Sequence, residues 1–455
     1  MIRFYLAERD ARQEMELRLA RQEHEIAQLR QAIALLTTRI GELGTTPDQD
    51  TPDDGARGGS GRMPGHKPQQ AVGTPRPRQG RAHGAGRSRM VPTQQVVHAL
   101  AACPDCGASL AGGTPKRDRE VIDLPPPQIE VTRHVFLERR CPDCGKRCVP
   151  RPDLQDQVMG QGRFGHRLTS LLVLLHEVGR MPVRVVRETL ATLTGLRVSD
   201  GAIVAASQRV AGRALPTVAM LGEMIRASPV VHLDETGWRE NGRNGYVWTA
   251  STPDVRLFQA GSRQKAMVDQ LLGDQFAGVV VSDFYAAYTS DERVHQYCWA
   301  HLLRDIRELL SQHPQDPVLA GWATGVVAVF AQAQAAVAHP IRVRWQVRRQ
   351  CQADLQQLCA PWVDLDVPHR KLCARMRKYL PALFTFVTDV GVPPTNNAAE
   401  RSLRHLVIAR KISGGTRSPA GSATKMTLAS LFGTWRLQGR DPLLQCRALL
   451  ANPQL

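Results

Sequence analysis

Three carboxylates stand where hard-cation chemistry would need them. Val230-Val231-His232-Leu233-Asp234-Glu235-Thr236-Gly237-Trp238 reads as a short buried strand ending in acid, entered at Pro229 and left through a turn that Gly237 permits. Gly278-Val279-Val280-Val281-Ser282-Asp283 is a second apolar strand that also ends in Asp. Glu400 lies in the first turns of a late helix opened by Pro393-Pro394-Thr395-Asn396-Asn397, with Arg404 one turn on. Acids also favour ordinary turns, so one alone decides nothing. Together Asp234, Asp283 and Glu400 offer the oxygen ligands that Mg2+ or Mn2+ takes. Two such ions close together activate an attacking water or hydroxyl and stabilise the leaving oxygen in line. Glu235 points to the opposite side of an extended strand and is read as structural.

A second constellation is built for a soft metal. Cys103-Pro-Asp-Cys106-Gly and Cys141-Pro-Asp-Cys144-Gly are near-identical knuckles, each presenting two thiolates. Four cysteines suit a closed tetrahedral zinc with no open position, hence a structural and not a catalytic metal. Between them, residues 120–124 and 129–138 read as strands around Pro125-Pro126-Pro127, as in a zinc ribbon over residues 96–152. Cys148 is a spare thiol.

The acids need a scaffold, and the surrounding sequence supplies one. Residues 246–251 and 255–260 read as strands, with a hairpin turn in Glu240-Asn241-Gly242-Arg243-Asn244-Gly245. Residues 264–272 read as a helix and 293–298 as a fifth strand. Three strands, a helix, a strand, a helix and a strand follow the order of a ribonuclease-H-like sheet, whose first and fourth strands are neighbours. The expected core spans residues 228–301 and resumes at 391–455. Residues 302–390 are helical and basic and read as an insertion, carrying Arg342, Arg344, Arg348, Arg349, Arg370, Lys371, Arg375, Arg377 and Lys378 with Trp322, Trp345 and Trp362. Basic faces with aromatics hold single strands or flipped bases, although core tryptophans on solvated helices explain the same pattern. Arg401, Arg404, His405, Arg410 and Lys411 make the last helix a phosphate-contacting surface or a solvated face.

The N-terminal third reads as three further regions. In residues 1–44, Leu19, Ile26, Ile33 and Ile40 recur every heptad, beside Met15, Leu29, Leu36 and Leu43. Ile at a with Leu at d favours a parallel two-stranded coiled coil, and the Arg18–Glu23 and Glu25–Arg30 flanks agree. Residues 45–95 read as a flexible linker whose acid-free stretch from Gly55 to Met90 carries many arginines and either tracks DNA phosphates or serves as a tether. Residues 160–227 read as helices: one over 183–193 opened by Pro182, a break at Thr194-Gly195-Leu196, and one over 200–211 capped by Ser199. Helix, short turn and capped helix suggest a helix-turn-helix, a pattern any small bundle also shows.

Composition sets the outer limits. The chain has 455 residues, 42% of them hydrophobic, enough for several real cores. A formal charge of +17 points to a polyanionic partner, with nucleic acid ahead of an anionic membrane. No wholly apolar run reaches the roughly 18 residues of a spanning helix. Ten cysteines without a secretory pattern argue for reduced thiols, metal and a cytoplasmic setting.

The motifs resemble those of the DDE transposases of the insertion-sequence-66 type over nearly the whole chain. The zipper-like N-terminus and the paired C-P-x-C-G knuckles agree with that family, as do D-E-T-G-W, Ser282-Asp-Phe-Tyr-Ala-Ala-Tyr288 and Cys298-Trp-Ala-His301. So do Asn396-Asn-Ala-Ala-Glu-Arg-Ser-Leu-Arg404 and Lys411-Ile-Ser-Gly-Gly-Thr-Arg-Ser418, the two most specific blocks. The resemblance implies Asp234, Asp283 and Glu400 as the metal-binding triad, with Cys298 and His301 supporting the site; a buried thiol and a satisfied core histidine are the plainer alternative for those two. It assigns Arg401, Arg404, Lys411 and Arg417 to DNA and implies a multidomain α/β protein with two Mg2+ or Mn2+ ions and a structural zinc. It also implies a bacterial, nucleoid-associated setting, no membrane, self-association through the N-terminal helix, and small partner proteins of the same element. The expected activity is strand cleavage at element ends followed by strand transfer. The alternatives are a catalytically dead zinc-ribbon DNA-binding regulator and a stand-alone nuclease, which leaves zipper and zinc ribbon unexplained.

Overall fold

The computed structural model describes residues 90–451 apart from Pro126, Pro152, Asp291 and Val390. The expected coiled coil and all but the end of the linker lie outside the described residues. The chain divides into two compact units, Met1–Glu120 and Val121–Leu455. In the first, described from Met90, the Cys103 knuckle is closed by an isolated bridge between Ala102 and Ser109. In the second, the Cys141 knuckle sits in a two-stranded ladder of β1 (Arg139–Arg140) and β2 (Arg147–Cys148). The strands expected over 120–124 and 129–138 do not form; Val121, Ile122, Leu124, Val131 and Val135 are exposed there, so the alternation has no sheet to bury it.

Helices follow. α1 (His166–Glu177) and α2 (Val183–Thr194) pack their apolar faces together through Leu172, Val186 and Leu190. Gly195, left-handed, ends α2, and the Ser199 hydroxyl accepts the Ala202 N–H to start α3 (Asp200–Arg226). α3 is far longer than the sequence suggested, because it runs on through Pro216 for 27 residues to carry Leu221 and Ile225 under the sheet.

The sheet has five strands. β3 (Val230–Glu240), β4 (Arg243–Ser251) and β5 (Arg256–Gly261) form an antiparallel meander, joined between the first two by Asn241-Gly242, both at positive φ. α4 (Ala266–Leu272) leads to β6 (Val279–Ser282), and α5 (Ala286–Thr289) leads to β7 (Val294–Tyr297). The spatial order is β5-β4-β3-β6-β7, with β3, β6 and β7 parallel. β3 does not end at its acids as expected. It continues to Glu240, with Gly237 paired to Tyr246 instead of turning, because β4 follows it for its last nine residues.

Side-chain alternation gives each face its own cover. Val231, Leu233, Trp248, Ala250 and Val280 pack on α3 and α4. On the other face, Val279 and Val281 meet a helical subdomain. It comprises α6 (Trp299–Gln312), α7 (Pro317–Ala336), α8 (Ile341–Cys359), α9 (Arg370–Lys378), α10 (Leu380–Leu383) and α11 (Thr385–Thr388). Among the described residues α7 is the one helix long and apolar enough to cross a membrane; here Leu319, Trp322, Val326 and Phe330 fill the subdomain core. Trp238, Val247 and Phe258 are covered by α12 (Asn397–Ser413) and α13 (Pro419–Leu437). α14 (Pro442–Ala451) closes against α1 and α3.

Candidate active site

β3 and β6 bring two acids to one point. Their register pairs Val230 with Val279, Val231 with Val280 and His232 with Val281. Two residues beyond the last pair, the chains reach Asp234 and Asp283, both on the sheet face of the paired His232 and Val281. Asp234 Oδ1 accepts the Glu235 N–H and Asp283 Oδ1 accepts the Tyr285 N–H, both at 2.9 Å, which fixes one oxygen of each carboxylate. Asp234 also lies opposite Thr249 of β4, whose buried hydroxyl has no partner.

The third acid arrives on α12. Pro394 O accepts the Trp299 N–H at 3.0 Å, which seats the helix start against α6. Glu400 then stands beside His301 Nε2 at 3.7 Å and Arg304 at 3.8 Å, long contacts with half-exposed partners. Its charge also reaches Asp234, whose carboxyl is pushed up to about 8 by burial, then by Glu235, Asp283 and Glu400 in turn, against the Glu235 amide. So much uncompensated negative potential favours a cation, and every donor is a hard oxygen. Among the described residues no three His, Cys, Asp or Glu side chains stand close enough to ligate one ion. Asp283 and Glu400 both act on Asp234 through their charge, and the three do not form one coordinating cluster.

Glu235 is another matter. On the opposite face, Tyr288 donates to its Oε2 at 2.6 Å and Arg263 to its Oε1 at 2.9 Å, leaving the side chain 5% exposed. Burial still holds its carboxyl above the usual range, with Tyr288 and Arg263 opposing. The Arg263 guanidinium lies 4.0 Å from the Tyr285 ring centre.

Cys298 is buried and accepts the Asn396 N–H at 3.1 Å, with burial raising its thiol. His301 is half-buried, with Nδ1 unpartnered. Arg401, Arg404, Lys411 and Arg417 are all exposed. Two basic residues expected on that surface are turned inward. Arg410 donates to Thr236 and to the Gly237 carbonyl, and His405 is held at about 4 by burial, then by Lys425, with Glu177 opposing. In the helical subdomain, Arg344 and Arg348 are likewise spent on the Val387 and Pro381 carbonyls.

Two residues had no role in the sequence. Asn396 was a helix cap in a motif, yet its side chain makes no cap bond and crosses to β3. Thr416 bridges α12 and the hairpin: its N–H donates to Arg239 O at 2.9 Å and its hydroxyl accepts Trp238 Nε1 at 3.0 Å. The adjacent Gly415 sits at φ 113°, and a Cβ there would meet Arg239 O at 2.1 Å. The G-G-T run was the visible signal for that contact.

The knuckles keep their own geometry. Amides of Cys106 and Asp105 lower the Cys103 thiol, and those of Cys144 and Asp143 lower Cys141. Backbone donors aimed at sulfur suit thiolate ligation.

Comparison with known proteins decides the family. The model for the IS66 transposase family matches residues 161–424, and a second, for the zinc-finger binding domain of transposase IS66, matches residues 101–145. The chain belongs to the IS66 transposase family. Similar curated proteins come from Sinorhizobium fredii (strain NBRC 101917 / NGR234), each called an uncharacterized protein. One, y4jD, is 24% identical over 75% of this chain and 72% of its own. Another, y4jO, is 29% identical over 37% of this chain and 50% of its own, and y4qI is 28% identical over 41% and 37%. IS66 transposases act on DNA, and the zinc-finger match adds zinc to the metals the family uses.

Proposed function

We propose that this IS66 transposase cuts DNA at the ends of its insertion sequence and joins the freed 3′ ends to target DNA, with Asp234, Asp283 and Glu400 as its reactive carboxylates. The β3–β6 register, which carries Asp234 and Asp283 to one point beside α12, supports this most directly. The strand order β5-β4-β3-β6-β7, antiparallel on one side and parallel on the other, favours a ribonuclease-H-like core.

Within it, Asp234, Asp283 and Glu400 would hold Mg2+ or Mn2+. When bound, those ions supply activation of the attacking oxygen and charge stabilisation at the leaving oxygen. The protein's own contribution is orientation. The Glu235 and Tyr285 amides aim the two Asp carboxylates, Cys298 holds the start of α12, and His301 with Arg304 flanks Glu400. Arg401, Arg404, Lys411 and Arg417 are positioned to take DNA phosphates from the exposed side.

The zinc-ribbon region that carries Cys103, Cys106, Cys141 and Cys144 as structural zinc ligands, the helical region before the sheet and the basic linker would recognise the terminal repeats. The N-terminal heptads would pair two copies. The test is a Mg2+-dependent nicking and joining assay on a duplex carrying an element end. Wild type should nick and join, while Asp283→Ala should bind that duplex and do neither; undiminished nicking by Asp283→Ala would sink the assignment.

A further inference from the structure

Asn396 starts the segment that carries Glu400, bonds directly to the one that carries Asp234, and reaches the one that carries Asp283 through Cys298. Its Nδ2 donates to Leu233 O at 2.7 Å, the carbonyl just before Asp234. Its backbone N–H donates to Cys298 Sγ at 3.1 Å, and the Cys298 N–H donates in turn to Ser282 O at 2.9 Å, just before Asp283. Its carbonyl accepts the Glu400 N–H at 3.3 Å. With Nδ2 committed to Leu233, Oδ1 faces His232 Nδ1 at 3.0 Å. A carbonyl oxygen only accepts, so His232 carries its proton on Nδ1. Asn396 is 1% exposed, and water cannot replace these partners.

We propose that Asn396 is a positioning residue for the reaction, an amide latch that sets the separation of Asp234, Asp283 and Glu400. This rests on those three being the reactive carboxylates. Like charges push the three segments apart, and among the described residues the ion pairs of Glu400 go to His301 and Arg304, not to the other two segments. A neutral amide can hold the start of α12 to β3 without adding charge, because it donates to the Leu233 carbonyl and accepts from His232 in a fixed plane. Asp at this position keeps the shape but turns an oxygen toward the Leu233 carbonyl and adds a fourth acid. Ala removes both bonds.

Gln296 on β7 offers a matched contrast. It too is a fully buried amide: Nε2 donates to Tyr297 O at 2.7 Å and Leu383 O at 3.2 Å, while Oε1 accepts the Phe386 N–H at 2.9 Å. None of its partners adjoins an acid. Loss of either amide weakens packing, but only Asn396 should disturb the carboxylates.

The test uses the full chain as wild type, Asn396→Ala, Asn396→Asp, Gln296→Ala and Asp234→Asn. Mn2+ binding is measured calorimetrically without DNA, together with the thermal midpoint, binding of an end duplex and its cleavage. Both Asn396 variants should bind Mn2+ about tenfold more weakly or worse and cleave about 100-fold more slowly, a loss typical of groups that orient ligands. They should bind the duplex as wild type does. Gln296→Ala should lower the thermal midpoint comparably and leave Mn2+ affinity unchanged. If Asn396→Ala does not fold, the isosteric Asn396→Asp decides. Wild-type Mn2+ affinity in a folded Asn396 variant overturns the latch, as does an equal loss in Gln296→Ala. Cleavage surviving in Asp234→Asn would instead overturn the carboxylate assignment, which the Asn396 variants leave untouched.

Discussion

Asp234 and Glu235 are adjacent acids with opposite fates. Asp234 faces the side of the sheet toward Asp283 and Glu400, and burial, then the charges of Glu235, Asp283 and Glu400, push its carboxyl up to about 8. Glu235, one residue on, faces the side where a tyrosine hydroxyl and a guanidinium meet it at hydrogen-bond distance. One face leaves negative charge in want of a cation, and the other has already answered it. On the proposed assignment, the side of the strand, not the identity of the acid, would separate a reactive carboxylate from a structural one.

Substitutions on the two faces should break differently. The largest effect is expected from Asp234→Asn: losing several kcal/mol of transition-state stabilisation slows strand cleavage about 1,000-fold or more, with duplex binding kept. Glu235→Gln, in the same single-turnover assay, should stay within about tenfold of wild type, because it keeps a hydrogen-bond partner for Tyr288. Equal damage from both would erase the distinction between the faces.

Stability should reverse that ranking. Glu235→Ala strands the Tyr288 hydroxyl and the Arg263 guanidinium and should cost about 1–3 kcal/mol in chemical denaturation. Asp234→Asn should cost nothing or stabilise the metal-free protein, since it removes charge from a crowded site. The smallest effect is expected from Thr249→Val. Its hydroxyl is fully buried without a partner opposite Asp234, so its loss should be neutral or stabilising by up to about 1 kcal/mol. Slower cleavage without a stability change would instead place that hydroxyl among the groups that serve the acids.

Local sequence carried the strands well and their partners poorly. The apolar run before Asp234 and the one before Asp283 were legible because parallel strands buried on both faces need continuous Val and Leu. The continuation of β3 past Glu235 was not, because Gly237 is a weak strand former that reads as a turn and is held in place by β4. The 27-residue span of α3 was hidden by Pro216, which tertiary burial of Leu221 and Ile225 overrides. Residues 120–138 showed strand composition that found no partner strand. At the site, the three acids were visible by their flanks. Asn396 was not, since a polar residue at a helix start reads as a cap until its bond to Leu233 is seen. Arg344, Arg348 and Arg410 counted as basic surface in the sequence and prove to be ties to backbone carbonyls, a use that charge alone does not reveal.

The central claim is that Asp283 shares a divalent ion with Asp234 and Glu400, and replacing its oxygens by sulfur tests it most directly. Cleavage of an element-end duplex by Asp283→Cys should be measured in Mg2+ and in Mn2+, beside wild type. Thiolate disfavours Mg2+ and tolerates the softer Mn2+. The variant should therefore be inactive in Mg2+ and regain cleavage in Mn2+. Equal activity in the two metals would contradict a role for Asp283 as a ligand.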